Sequence, residues 1–171
     1  MYTLEQLSAK QEITEIIYRY CRGLDRMDQQ MVLDVWHPNG TLDYDSYFVG
    51  TPEDFVTWVW EFHLTLDRHS HEITNVIIEL DGDDRAVAES YFIVTLRWPT
   101  VDGEPTKVIT NHGRYLDRLS RRDGRWAVDH RECIVDTGTR VELVDDPAID
   151  GSASRATRDE SDPSRRLFAG R

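Results

Sequence analysis

The sequence predicts an α+β fold in which a mainly antiparallel sheet wraps around N-terminal helices. Helical spacing of apolar residues dominates the first 67 positions, β-rich segments separated by tight turns dominate residues 73–136, and the strands follow the helices without alternating with them. Thr3 followed by Gln6 reads as a capping box. Ile13, Ile16, Ile17, Tyr20 and Leu24 then recur every three or four positions, a stripe that one helix buries. Gly23 and the polar residues after Leu24 end that helix near Asp25. Asp28 can cap a shorter helix containing Met31, Val32, Val35 and Trp36, which stops before Pro38. Asn39-Gly40 is a turn signal and residues 41–49 have strand content. Thr51-Pro52-Glu53-Asp54 combines a cap, a proline at the first position and acids in the first turn; Phe55, Val59, Phe62 and Leu66 carry a third helix to about residue 67. Four strands follow: residues 73–80, ending at the turn 81–84; residues 86–98; and residues 108–119 and 125–136, a hairpin about Arg122-Asp123-Gly124. No internal repeat is present. Residues 1–144 form one α+β domain, and residues 145–171 form a polar extension expected to pack over it or over a neighbour.

At 171 residues the chain suits a single domain, which buries roughly 70% of its unfolded surface. Its net charge of -12 argues against a nucleic-acid partner, because phosphate binding needs clustered Lys and Arg. Cys21 and Cys133 make no disulfide framework and no metal-thiolate spacing. The N-terminus lacks the basic start and apolar core of a secretory leader, and no apolar run approaches the roughly 20 residues that span a bilayer. A cytoplasmic location with reduced thiols and no membrane partner is the expectation.

Asp25 falls at the end of the first helix, where a carboxylate meets the negative end of the dipole. It reads as a solvated helix end, or as a carboxylate that orients a histidine. His63, His69 and His71 lie close together, but His-x-His with no third ligand at a clear spacing is a poor metal motif, so no metal is expected. His71 opens a strand in which alternation puts His71, Ile73 and Asn75 on one face. In a later strand His112 and Arg114 share one face, and Gly113, Tyr115 and Asp117 share the other. An inward Arg114 or Arg131 would mark a functional site, because a buried cation is costly unless paired; an Asp117–Arg131 pair across the hairpin is an equally good structural account. Tyr44 and Tyr47 can offer a phenol to a pocket or pack with the hydroxyl at its rim. Nothing supports a covalent nucleophile: there is no Gly-x-Ser-x-Gly elbow, and neither Cys has a base nearby in sequence.

Residues 13–25, the segment His71-Glu72-Ile73-Thr74-Asn75 with the turn at 82–86, and residues 113–126 together resemble the SnoaL-like branch of the nuclear transport factor 2-like superfamily. Asp162-Pro163-Ser164 is similar to the C-terminal extension of that branch. The resemblance implies a cone-shaped α+β barrel with a deep pocket. Scytalone dehydratase, bile-acid 7α-dehydratase and hexachlorocyclohexane dehydrochlorinase in this branch use an Asp–His dyad, whose positions match Asp25 and His71. Substrate-binding positions carried over are Tyr20, Tyr44 and, in the strand that holds a second catalytic histidine in scytalone dehydratase, His112. Asn75 joins them from its face, and so does Arg131, although the late arginine of the bile-acid enzyme is not reproduced at a matching spacing. The implied function is a cofactor-independent, dehydratase-type lyase. His71 would act as base and then acid on a hydrophobic small molecule, in a pocket supplied with Trp36, Trp58, Trp60 and Phe62. An isomerase or cyclase using the same dyad, and a non-catalytic binding module, are the alternatives. Self-association as a dimer or trimer is expected.

Overall fold

A computed structural model describes residues 1–102, 104–144 and 156–168. The capping box forms: Gln6 N donates to Thr3 Oγ1 at 3.2 Å and Thr3 N to Gln6 Oε1 at 3.0 Å. From it α1 runs over Leu4–Asp25, burying Ile13, Ile17, Tyr20 and Leu24. Asp28 caps α2 (Gln29–Leu33) through Met31 N at 3.0 Å. A side chain on Gly23 would come within 2.7 Å of Val32 Cγ2, so the glycine is what lets α2 fold back tightly on α1. Then come β1 (Trp36–Asp43), β2 (Val49–Gly50) and α3 (Pro52–Leu64), the last capped by Thr51 with proline at its start. Strands β3 (Arg68–Asp81), β4 (Arg85–Arg97), β5 (Thr106–Arg122) and β6 (Arg125–Leu143) follow, and α4 (Pro163–Phe168) closes the described chain.

The six strands form one curved sheet in the order β2-β1-β6-β5-β4-β3. All pairs are antiparallel except β1 with β6. The expected barrel is therefore an open, mainly antiparallel sheet with β2 and β3 at its edges. On β4 the buried residues Ala86, Ala88, Ser90, Phe92, Val94 and Leu96 alternate, which fixes the inner face. Their partners Gly113, Tyr115, Asp117 and Leu119 continue that face on β5. Alpha-helix α1 packs on β3 and α2, and α3 packs on β1 and β2.

Several boundaries differ from expectation. The second helix stops at Leu33, and Trp36, Pro38 and Asn39-Gly40 belong to β1, where the register with β6 shifts between Trp36 and Thr41. The turn signal there is an irregularity within a strand, with Asn39 at φ 66°. The third helix ends at Leu64, β3 begins earlier, at Arg68, and β6 extends to Leu143. The hairpin turn is as expected, Asp123 and Gly124 both having positive φ (52° and 80°). Of the polar extension, residues 145–155 and 169–171 lie outside the described residues; residues 156–168 pack against the end of α1.

Candidate active site

Alpha-helix α1 delivers Asp25 as its last residue, beside the edge strand β3. An edge strand has backbone groups that no neighbouring strand uses. The Asp25 carboxylate takes one of them: His71 N donates to Asp25 Oδ2 at 3.0 Å, and Asp25 Oδ1 lies 2.7 Å from His71 Nδ1. The two side chains are 14% and 7% exposed. Because a carboxylate only accepts, this geometry puts the His71 proton on Nδ1 and leaves Nε2 with its lone pair; no described residue hydrogen-bonds Nε2. Such a pair can take up and return a proton at Nε2 while the carboxylate compensates the charge.

Two further imidazoles flank His71. The rings of His69 and His63 are 4.1 Å apart, and each lies about 6 Å from His71 (6.1 Å and 6.2 Å). Burial and the neighbouring imidazoles lower both pKa values, to about 4 for His69 and about 2 for His63. Both rings are thus neutral at pH 7. His69 Nε2 contacts Leu24 O at 2.9 Å, next to Asp25 in the chain. Among the described residues, no group of three or more His, Cys, Asp or Glu is arranged to hold a metal ion.

An aromatic cluster lies under the inner face. Phe92 stacks on Tyr115 at 4.6 Å, Tyr115 meets Tyr20 edge-on at 5.8 Å, and Phe55 joins Tyr20, Tyr44, Phe48 and Trp58. The hydroxyls of Tyr20 and Tyr44 are 2.5 Å apart. Burial raises the pKa of both phenols, so they stay protonated. Tyr20 is fully buried, whereas Tyr44 lies only partly so. Of the aromatics expected to line a pocket, Trp36 is core, and Trp58, Trp60 and Phe62 pack against the core while staying partly exposed.

Three sequence-predicted residues are placed elsewhere. The β3–β4 register shifts between Ile73 and Val76, so the inward pattern 69, 71, 73 resumes at 76, 78, 80, and Asn75 is exposed off the His71 face. His112 is exposed on the outer face with Arg114, which Asp136 and Glu89 engage. Arg131 does point inward but is fully buried. Its Nε and Nη2 donate to Asp117 at 2.7 and 2.8 Å, and its guanidinium lies 4.2 Å from the Tyr20 ring and 4.3 Å from the Tyr115 ring. It forms the Asp117–Arg131 pair across the hairpin, and its buried Nη1 has no hydrogen-bond partner among the described residues. A surface groove of about 1260 Å³ runs between α1, α2 and α4, and neither Asp25 nor His71 lines it.

Two features were not read as part of the site. Asn111 follows the parity of Gly113 and Tyr115 onto the inner face, and pairs with Val94, itself the partner of His71. A buried Tyr115 would have signalled it. Arg158 approaches His69 from the C-terminal segment, which no local pattern announces.

The SnoaL-like domain model matches residues 5–132. No curated protein matches the sequence. Among solved structures, a hexachlorocyclohexane dehydrochlorinase (LinA, type 2) superposes with a TM-score of 0.73 at 18% identity, over 85% of this chain and 99% of that one. A candidate scytalone dehydratase from Novosphingobium aromaticivorans gives 0.70 at 17% identity, over 82% and 92%. A Mycobacterium tuberculosis protein of unknown function gives 0.63 at 27% identity, over 89% and 83%. With three quarters of its length matched by the family model and its α+β fold shared with these structures, the chain belongs to the SnoaL-like domain family.

Proposed function

We propose that this protein is a cofactor-independent, dehydratase-type lyase for a hydrophobic small molecule, with Asp25 and His71 as its acid–base pair. One observation carries the reading: a single carboxylate grips His71 at both its backbone N–H and Nδ1, which leaves Nε2 as the free base. His71 Nε2 removes a proton from carbon next to a carbonyl, and the C–H electron pair moves into the enolate. Loss of the β-hydroxyl forms the double bond as the imidazolium returns its proton to the departing oxygen, so the products are an unsaturated ketone and water. Asp25 stabilises the imidazolium and fixes the ring. Tyr44, its hydroxyl held by Tyr20, donates to the enolate oxygen as charge develops there. Positioned proton transfer of this kind contributes about 10²- to 10⁴-fold in rate. Likeness to a dehydrochlorinase and a candidate dehydratase supports elimination, and the aromatic cluster supports an apolar substrate.

The test uses a panel of apolar β-hydroxy ketones with wild type, Asp25→Asn and His71→Ala. Wild type is expected to give a product lighter by one water, and each variant to lose about three orders of magnitude or more, as removing an acid–base partner does elsewhere. A product of unchanged mass assigns isomerisation or cyclisation to the same pair; turnover undiminished in both variants removes the mechanism.

A further inference from the structure

Residues 156–168 return to the end of α1 and insert one arginine behind the dyad. Arg158 Nη2 donates to Leu66 O at 2.6 Å and Nη1 to His63 O at 2.8 Å, where a cation also meets the negative end of α3. Nη1 also lies 3.3 Å from His69 Nδ1. A guanidinium can only donate, so His69 Nδ1 must hold a lone pair and Nε2 the proton, which is the proton given to Leu24 O. Guanidinium, imidazole and the Leu24 carbonyl thus form one directed chain that ends at the residue before Asp25. The other side of that turn is gripped by the same segment. Asp162, 4% exposed, accepts from Thr157 N at 3.2 Å and Ser164 N at 2.9 Å, and stands 3.5 Å from Arg26 Nε. Arg165 donates to Asp28 and to Arg26 O. Residues 24–28, with Asp25 among them, are therefore held from two sides.

We infer that the C-terminal segment is a strap for the active site and that Arg158 is a positioning residue, holding the His69 ring through Nδ1 against the Leu24 carbonyl and thereby seating Asp25 against His71. This rests on the role proposed for the dyad, although the strap can be tested separately. Lysine cannot substitute fully, because one ammonium does not match three acceptors spread across a planar fork.

The experiment is histidine ring ¹⁵N NMR of the full chain at neutral pH, in wild type, Arg158→Met and Arg158→Lys, with amide exchange on the same samples. Wild type is expected to show His69 neutral with its proton on Nε2. Arg158→Met should leave the proton on Nε2 facing the Leu24 carbonyl but shift the His69 Nδ1 signal toward that of an unbonded lone pair, shift the His71 ring signals and speed amide exchange across residues 157–165; Arg158→Lys should recover part of each change. His69 and His71 signals in Arg158→Met that superimpose on wild type overturn the inference, as does a wild-type His69 protonated on Nδ1. If Arg158→Met does not fold, Asp162→Asn loosens the strap away from His69 and must reproduce the His69 change; an unchanged His69 there is equally fatal. A wild-type His71 with its proton on Nε2 contradicts the proposed function while leaving the His69 result standing.

Discussion

Asp117→Asn keeps the shape of the buried pair and removes its negative charge. In wild type both side chains are fully buried, the guanidinium is held by two charge-assisted bonds of 2.7 and 2.8 Å, and Tyr20 and Tyr115 cover its faces. Burial alone would make the charged guanidinium less favourable, and Asp117 reverses this, so that Arg131 has a pKa raised well above the usual arginine value. An amide in place of the carboxylate leaves a buried cation with one neutral acceptor, a change that costs about 3–5 kcal/mol. With an unfolding entropy of roughly 2.1 cal/mol/K per residue, a loss near 4 kcal/mol lowers the melting temperature of a chain of this length by roughly 10 °C. Replacing both partners, as in Asp117→Leu with Arg131→Met, removes the desolvation penalty with the charges and is expected to leave stability within about 2 kcal/mol of wild type. Urea unfolding followed by tryptophan fluorescence measures all three proteins, and the urea dependence itself should stay constant. An Asp117→Asn variant within about 1 kcal/mol of wild type, or a double variant less stable than the single one, refutes the reasoning.

Acid stability should follow the buried imidazoles. His63 and His69 are neutral when folded, with pKa values near 2 and 4, and protonate near 6.5 when unfolded, so stability falls as pH drops below 6.5. Each contributes a slope of up to about 1.4 kcal/mol per pH unit, and His63→Leu should remove one such slope between pH 6 and 4 in urea titrations. Gly113→Ala sets a methyl carbon 2.2 Å from Ile134 O and 2.4 Å from Phe92 Cζ, and is expected to lose about 2 kcal/mol or more by the same assay. Cys21 and Cys133 are buried thiols with pKa values pushed up to about 12, so neither should react with a thiol reagent at pH 8 until urea unfolds the chain.

The helices were legible because their signals are local: the Thr3–Gln6 box, the Asp28 cap and the Thr51-Pro52 start each form as written. Asp25 and His71 were legible as a pair only through the order of motifs, since nothing in either residue's neighbourhood names a partner 46 positions away. Misplacement began where alternation failed. The irregularity after Ile73 turned Asn75 outward, and one residue of slip in a strand exchanges its faces. His112 was lost to an undecided parity, which the buried Tyr115 settles by placing even-numbered positions outside. The role of Arg131 turned on partner geometry, which composition and spacing do not carry. Arg158 was invisible for the opposite reason: it sits in a polar tail and acquires meaning only from the carbonyls and imidazole it reaches.

The most direct measurement is deuterium wash-in. Proton abstraction next to a carbonyl is common to elimination and to isomerisation, and it precedes any choice between them. Apolar ketones without a leaving group, incubated with the protein in D₂O and followed by mass spectrometry, should gain deuterium at the α-carbon in wild type and at background rate in His71→Ala and Asp25→Asn. A ketone that binds to the protein yet gains no deuterium, or gains it equally in the His71→Ala variant, contradicts an acid–base centre at Asp25 and His71.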